Sequence, residues 1–395
     1  MDFIALLKLM VERSASDLFI TAGKPPSYKI DNNVVEVTKS PLSQEQSRKI
    51  VLSIMSEKQR EEFERTHECQ FALSVPDLGR FRVSAFTQRD AAGMVIRHIE
   101  TKIPTTETLN LPDVLKELVM LKRGLIIFVG GTGTGKSTTL AALVGHRNQN
   151  SNGHIITIED PIEFVHPHLG CIITQREVGI DTESYDIALR NALRQAPDVI
   201  LIGEVRSRET MHQAITFAET GHLCLCTLHA NNANQALNRI INFFPEEMHQ
   251  QLFMDLSLNL RAIVAQQLVK KADKIAYPEN STDGASWWRW ADNSGRYPAV
   301  EIMINTPLAA DLIRRGEIFK LKDLIKSSRE AGMQTFDQAL FDLYEAGKIS
   351  YEDALTYADS QNEVRLMIKL AADNSEMNLG DMQLSEIETE PKGFF

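Results

Sequence analysis

Leu125-Ile126-Ile127-Phe128-Val129 runs straight into Gly130-Gly131-Thr132-Gly133-Thr134-Gly135-Lys136-Ser137, and Thr138–Val144 continues as a helix-length segment. The order is an apolar β-type run, a glycine loop closing on Lys-Ser, and a helix. The loop fits G-x-x-x-x-G-K-[ST] in the strand–loop–helix setting that this pattern requires. Glycines let backbone N–H groups turn inward around phosphate oxygens, and the helix N-terminus adds favourable partial charge. Gly130 through Thr138 are therefore the candidate nucleotide-binding residues. Lys136 is placed to reach the β- and γ-phosphates, and Ser137 to ligate Mg²⁺. An ordinary Gly-rich turn before a helix is the competing reading, and the three-part context disfavours it.

Beyond the loop, Ile155–Ile158, Val199–Ile202 and Leu223–Thr227 are further continuous apolar runs separated by helix-length stretches. Continuous rather than alternating apolar strands indicate a parallel sheet covered on both faces, hence an α/β core. Val199–Ile202 ends in Gly203-Glu204, a carboxylate at a strand's end where Mg²⁺ would lie. His154–Ile158 runs into Glu159-Asp160-Pro161-Ile162-Glu163. Three carboxylates within five residues repel unless a cation is near, and Mg²⁺ with a polarised water supplies one. Glu163 is the candidate base for that water. The alternative is a helix N-terminus gathering acids, with Pro161 in its first turn. Leu223–Thr227 is bracketed by His222 and His229, candidates for sensing the γ-phosphate or for structural roles.

After Arg261 the pattern reads as helical, with an irregular interruption over 270–298 that holds Trp287, Trp288 and Trp290. It is either an aromatic docking surface or an insertion whose tryptophans pack locally. Before the core, residues 1–100 read as a small α+β domain. Phe3, Leu6, Leu7, Met10 and Val11 form a helical stripe, Ser43 with Gln46 makes a capping box for a stretch to Arg65, and Gly79–Gln88 alternates as a half-buried strand. Residues 101–114 read as a linker, 115–371 as the nucleotide-binding core, and 372–395 as a disordered tail with six acids and one lysine.

The 395 residues carry a net charge of −11, which argues against direct nucleic-acid binding. The four cysteines form no C-x-x-C pair, so a zinc site is not expected. With no basic leader and no apolar run of membrane-spanning length, the expectation is a cytoplasmic protein that reaches a membrane only through a partner.

GGTGTGKS, TIEDPIEF, ILIGEVR and TGHLCLCTLHA stand in the order and spacing of secretion-superfamily ATPases. Together they resemble most closely the PilT/PilU family of type IV pilus retraction ATPases. Ser16-Asp17-Leu18-Phe19-Ile20 with Gly23-Lys24-Pro25-Pro26, and Gly332–Asp337, resemble that family's terminal signatures, so the likeness covers nearly the whole chain. It implies a PAS-like N-terminal domain, a RecA-like ATPase domain with nucleotide between them, and a homo-hexameric ring. It further implies Glu163 as catalytic base, Glu204 as the Walker B acid reaching Mg²⁺ directly or through water, and His222 and His229 as His-box residues. Arg82 and Arg97 would be the N-terminal arginines that reach the phosphates. Members often carry Ala-Ile-Arg-Asn-Leu-Ile-Arg near the C-terminus, where this chain reads Ala309-Ala310-Asp311-Leu312-Ile313-Arg314. That departure sides with the PilU branch. The implied function is Mg²⁺-dependent ATP hydrolysis driving pilus retraction, as an accessory to a PilT-type ATPase, at the cytoplasmic face of the inner membrane and acting on a platform protein. A pilus-assembly or type II secretion ATPase is the alternative, disfavoured by the missing tetracysteine site. A nucleic-acid translocase is a more distant one.

Overall fold

The computed structural model describes residues 3–30, 33–99, 103–272 and 295–371. Trp287, Trp288, Trp290 and the tail 372–395 lie outside the described residues.

In chain order, the first part comprises α1 (Phe3–Glu12), β1 (Asp17–Ile20), β2 (Ser27–Ile30), β3 (Asn33–Glu36), α2 (Gln44–Ser53), α3 (Glu57–Thr66), β4 (Glu68–Val75), β5 (Gly79–Gln88) and β6 (Ala91–Ile99). Then come α4 (Val114–Val119), β7 (Gly124–Val129), α5 (Lys136–Asn150), β8 (Gly153–Glu159), β9 (Cys171–Glu177), α6 (Tyr185–Ala192) and β10 (Val199–Ile202). The series continues with α7 (Arg208–Glu219), β11 (Leu223–Leu228), α8 (Ala233–Phe243), α9 (His249–Asn259), β12 (Leu260–Lys270) and β13 (Arg296–Ile304), and short helices close the chain. Backbone contacts divide it into two compact units: Met1–Ile103 with Asn152–Pro197, and Pro104–Ser151 with Asp198–Phe395.

The first unit holds an antiparallel sheet in the order β3-β2-β1-β6-β5-β4. Its core includes Leu7, Met10, Leu18, Phe63, Phe81 and Ile96, so the apolar stripe of α1 packs inward as its spacing predicts. Tyr28 donates its hydroxyl to the Leu6 carbonyl at 2.5 Å. The Ser43–Gln46 capping box forms in both directions, at 2.9 and 3.1 Å. The stretch to Arg65 is two helices rather than one. Ser56 caps a second start with Gln59, which satisfies the orphan N–H groups and so favours a break there. The same unit carries β8 and β9 as a parallel pair.

In the second unit, five strands stand in the order β13-β12-β7-β11-β10. The pairs β12–β7, β7–β11 and β11–β10 are parallel, and β12–β13 is antiparallel. The parallel α/β sheet that the apolar runs predict is present, and the antiparallel β13 is added to it at its edge. Every residue of β7, β10 and β11 is buried, as strands covered on both faces require. The helical reading after Arg261 is corrected here. Ala262-Ile263-Val264-Ala265 is a buried run between β7 and β13, and it satisfies its backbone in the sheet.

Candidate active site

In the second unit, β7 delivers the chain to the glycine loop. A Cβ on Gly130 would come within 2.5 Å of Thr134 Oγ1 and 2.7 Å of the Gln266 carbonyl oxygen. At Gly135, in the left-handed region with φ 84°, it would come within 2.8 Å of Gln266 Nε2. Both positions therefore require glycine on steric and conformational grounds. Lys136 Nζ donates to the Gly130 and Gly131 carbonyls at 2.8 and 2.7 Å, folded over the loop it is expected to serve. Gly135 is the N-cap of α5 and supplies no side-chain cap. That is the arrangement in which first-turn N–H groups serve a bound phosphate.

Gln266 belongs to none of the motifs, yet it binds the loop from β12. Its Nε2 donates to the Thr134 carbonyl at 2.8 Å, and its Oε1 accepts from the Thr139 hydroxyl at 2.8 Å. It is 3% exposed. One signal for it exists in sequence: a glutamine interrupting a buried apolar strand needs polar partners.

The ends of β10 and β11 are stitched together. The Thr227 hydroxyl donates to the Gly203 carbonyl, and the Val205 N–H donates to the Thr227 carbonyl at 2.8 Å. This brings Glu204 to His229, with Oε1 3.0 Å from Nε2, while Oε2 lies 2.6 Å from an Arg206 nitrogen. The glycine loop, Glu204 and His229 follow the carboxyl ends of β7, β10 and β11, where ligands of open α/β sheets bind, and Gln266 stands within β12 one residue past the partner of Val129. His222 stands at the other end of β11. Its Nδ1 lies 3.1 Å from Thr220 Oγ1 and 3.2 Å from the Phe217 carbonyl, and its own carbonyl accepts the Gly124 N–H at 3.0 Å. At about 3.3 Å per residue, seven residues put the two histidines roughly 23 Å apart. Within one chain His222 therefore closes the α7–β11 turn and does not join the glycine loop. The donor set at Ser137 and Glu204 is oxygen only and sparse. It suits Mg²⁺, which keeps waters and takes phosphate oxygens for most of its shell.

The acid box belongs to the first unit. Glu159 ends β8 directly opposite Glu177 of β9. Its Oε1 accepts from the Thr157 hydroxyl at 2.6 Å and from Gln175 Nε2 at 3.2 Å. Burial pushes Glu159 up to about 7, and the charges of Glu163 and Glu177 push the same way. Residues 160–170 form no helix, so the acids are not gathered by a helix N-terminus. Glu163 is exposed, one residue beyond Ile162, whose N–H donates to Glu177 Oε2 at 3.4 Å.

Glu177 is a second residue the motifs did not single out. It is 1% exposed, and burial raises its pKa against the opposing pull of Arg82 and Arg80. Arg80 lies 3.8 Å from Glu177 and 3.7 Å from Asp181. Part of the cationic balance that the carboxylates demand thus comes from β5. Arg82 and Arg97 are direct cross-strand neighbours on β5 and β6. Arg82 donates to Gln70 Oε1 at 3.3 Å. Arg97 Nε donates to Oδ1 of the buried Asp17 at 2.8 Å, while the Arg97 side chain stays 67% exposed. Asp17 offsets the like-charge cost of the arginine pair and fixes Arg97 as an outward-facing cation.

The family model described as type II/IV secretion system protein matches residues 3–355. The type IV pilus ATPase PilU of Pseudomonas aeruginosa is 61% identical over 382 residues, covering 97% of this chain and 95% of that protein. The type IV pilus retraction ATPase PilT of the same organism is 40% identical, over 90% and 97% of the two chains. A crystal structure of the pilus retraction motor PilT with bound ADP superimposes with a TM-score of 0.82 at 37% identity, covering 92% of this chain and 99% of that one.

Proposed function

Because the chain belongs to the type II/IV secretion system protein family, we propose that it is an ATPase that powers pilus retraction. The observation that carries this reading is that Lys136, in the loop held by Gln266, and the Glu204–His229 pair follow the carboxyl ends of the neighbouring parallel strands β7, β10 and β11. Transfer of a phosphoryl group to water relies on positioning and charge stabilisation. Lys136 and the loop N–H groups hold the phosphates of ATP. Ser137, with Glu204 directly or through water, would hold Mg²⁺, which would neutralise charge on the phosphates. His229 keeps the Glu204 carboxylate in place, and Glu163 accepts a proton from the attacking water. Arg82 and Arg97 stabilise charge on the transferring group within a homo-hexameric ring. Residues 1–100 form the N-terminal domain of that ring's subunit and 115–371 its ATPase domain, joined by 101–114.

Asp311 favours an accessory role for the motor. It pairs with Arg314, the last residue of the helix Pro307–Arg314, and with Arg315, its C-cap, each at 2.7 Å, and so offsets part of their charge. A platform surface that reads positive charge there meets less of it. The protein then works at the cytoplasmic face of the inner membrane beside a PilT-type ATPase, acting on the pilus platform protein. Two variants test the chemistry. Lys136→Ala should abolish tight ATP binding, whereas Glu163→Gln should bind ATP yet turn it over about 10²–10⁴-fold more slowly. Near-normal turnover in Glu163→Gln moves the base role elsewhere.

A further inference from the structure

β11 ends at Leu228, and α8 begins at Ala233. The short connection between them carries His229. Its far end is held from two sides. The Asn232 side chain accepts the Gln235 N–H at 2.9 Å, an ordinary N-cap. The Ala233 N–H donates at 2.8 Å to Oε1 of Glu301, a carboxylate on β13 that is 3% exposed. The Asn232 cap serves only the Gln235 N–H, so the buried first N–H of α8 depends on a carboxylate brought in from 68 residues away.

The surroundings narrow the role of that carboxylate. Asn232, Asn234, Glu301, Lys322, Ile325 and Asp359 line a cavity of about 20 Å³, room for roughly one water and no ligand. Lys322 Nζ lies 3.2 Å from Asp359 Oδ2, and Asp359 and Ser360 donate their N–H groups to the buried Asp337 at 2.8 and 3.1 Å. Burial raises Glu301 to about 7, with Asp359 and Asp337 adding to the rise and Lys322 opposing it. What remains for Glu301 is its backbone contact at the start of α8.

We propose that Glu301 is a positioning residue for ATP hydrolysis: from β13 it anchors the first N–H of α8 and so fixes the connection that presents the His229 imidazole to Glu204. This rests on the reading that His229 serves the nucleotide site. The anchor also ties that connection to the C-terminal helices, because Glu301 shares its cavity with Lys322 of the helix Leu321–Ser327.

The test is steady-state ATPase kinetics on the full chain for wild type, His229→Ala, Glu301→Ala, Glu301→Gln and the double variant His229→Ala/Glu301→Ala. Glu301→Ala should lower kcat roughly tenfold, the scale of a modest misplacement, with KM for ATP within about threefold. Glu301→Gln should keep at least half of wild-type kcat, since its amide oxygen still accepts the Ala233 N–H. In the His229→Ala background Glu301→Ala should cost less than about twofold, because residues acting as a unit are non-additive. Should Glu301→Ala melt below assay temperature, Ala233→Pro removes the donor itself. Proline is favoured at the first helical position, and the extended Asn232, at φ −151° and ψ 175°, suits the residue before it. Ala233→Pro should show the same loss of kcat. Wild-type kcat in folded Glu301→Ala or in Ala233→Pro overturns the proposal. So does an undiminished tenfold loss in the His229→Ala background, or Glu301→Gln as slow as Glu301→Ala. Wild-type kcat in His229→Ala overturns the His229 reading itself, and the proposal falls with it.

Discussion

Replacing Gln266 with leucine isolates the contact that holds the glycine loop. The change keeps volume close to constant and removes two buried hydrogen bonds, from Nε2 to the Thr134 carbonyl and from the Thr139 hydroxyl to Oε1. Each neutral bond contributes about 1 kcal/mol net, so the loss is about 2 kcal/mol. Expressed wholly in the ordering of the loop, that weakens ATP binding about 30-fold. Shared with global stability, it weakens binding by roughly fivefold or more and lowers Tm by a few degrees. The assay is titration with a fluorescent ATP analogue beside thermal unfolding. Unchanged affinity with a lowered Tm would refute the reasoning, because Gln266 would then serve the core and not the loop. A fall in Tm beyond about 10 °C would refute the magnitude.

Three other outcomes follow from the same geometry. If Arg97 completes its site only in the assembled ring, ATPase activity per subunit rises with protein concentration, and Arg97→Ala stays folded while losing most of that rise; activity independent of concentration speaks against it. Glu159 is lifted by burial from the ordinary carboxylate range to about 7, so the folded state holds a proton that the unfolded chain releases. The stability it contributes is present in full below the unfolded pKa and is lost as pH rises to about 7, so Glu159→Gln should flatten the change in Tm between about pH 5 and 7; Glu301, lifted likewise, contributes its own share of that slope. Cells with this chain as their only retraction ATPase should stay piliated and non-motile, and normal twitching in them would remove the accessory role.

The glycine loop was legible because everything that defines it is local: strand, glycines, Lys136 and helix lie within one stretch of chain. Glu204 was legible for the same reason, as an acid closing an apolar run. His222 and His229 looked equivalent in sequence, and only the strand between them, with parallel neighbours on both sides, separates their surroundings. Gln266 and Glu177 escaped because their partners are remote in the chain: Gln266 meets Thr134 across 132 positions, and Glu177 takes its counter-charges from β5. The segment after Arg261 was misread because short apolar runs carry no period that separates a strand from a buried helix. Its pairing with β7 decided the matter.

The ion pair between Arg97 and the buried Asp17 bears on how a ring of such subunits forms. A long side chain recruited to a phosphate at assembly must surrender its rotational freedom at that moment, and the association is weaker for it. Here that freedom is already restricted inside each isolated subunit, because Asp17 grips the guanidinium at Nε while its outer nitrogens stay in water. On the proposed reading of Arg97, folding bears the ordering cost, and subunits would meet with the cation already aimed. The same restraint leaves little slack. In the proposed ring, an arginine restrained in this way would report the relative placement of neighbouring subunits, and small displacements between them would become changes in rate. That sensitivity is what a machine converting chemical steps into movement requires.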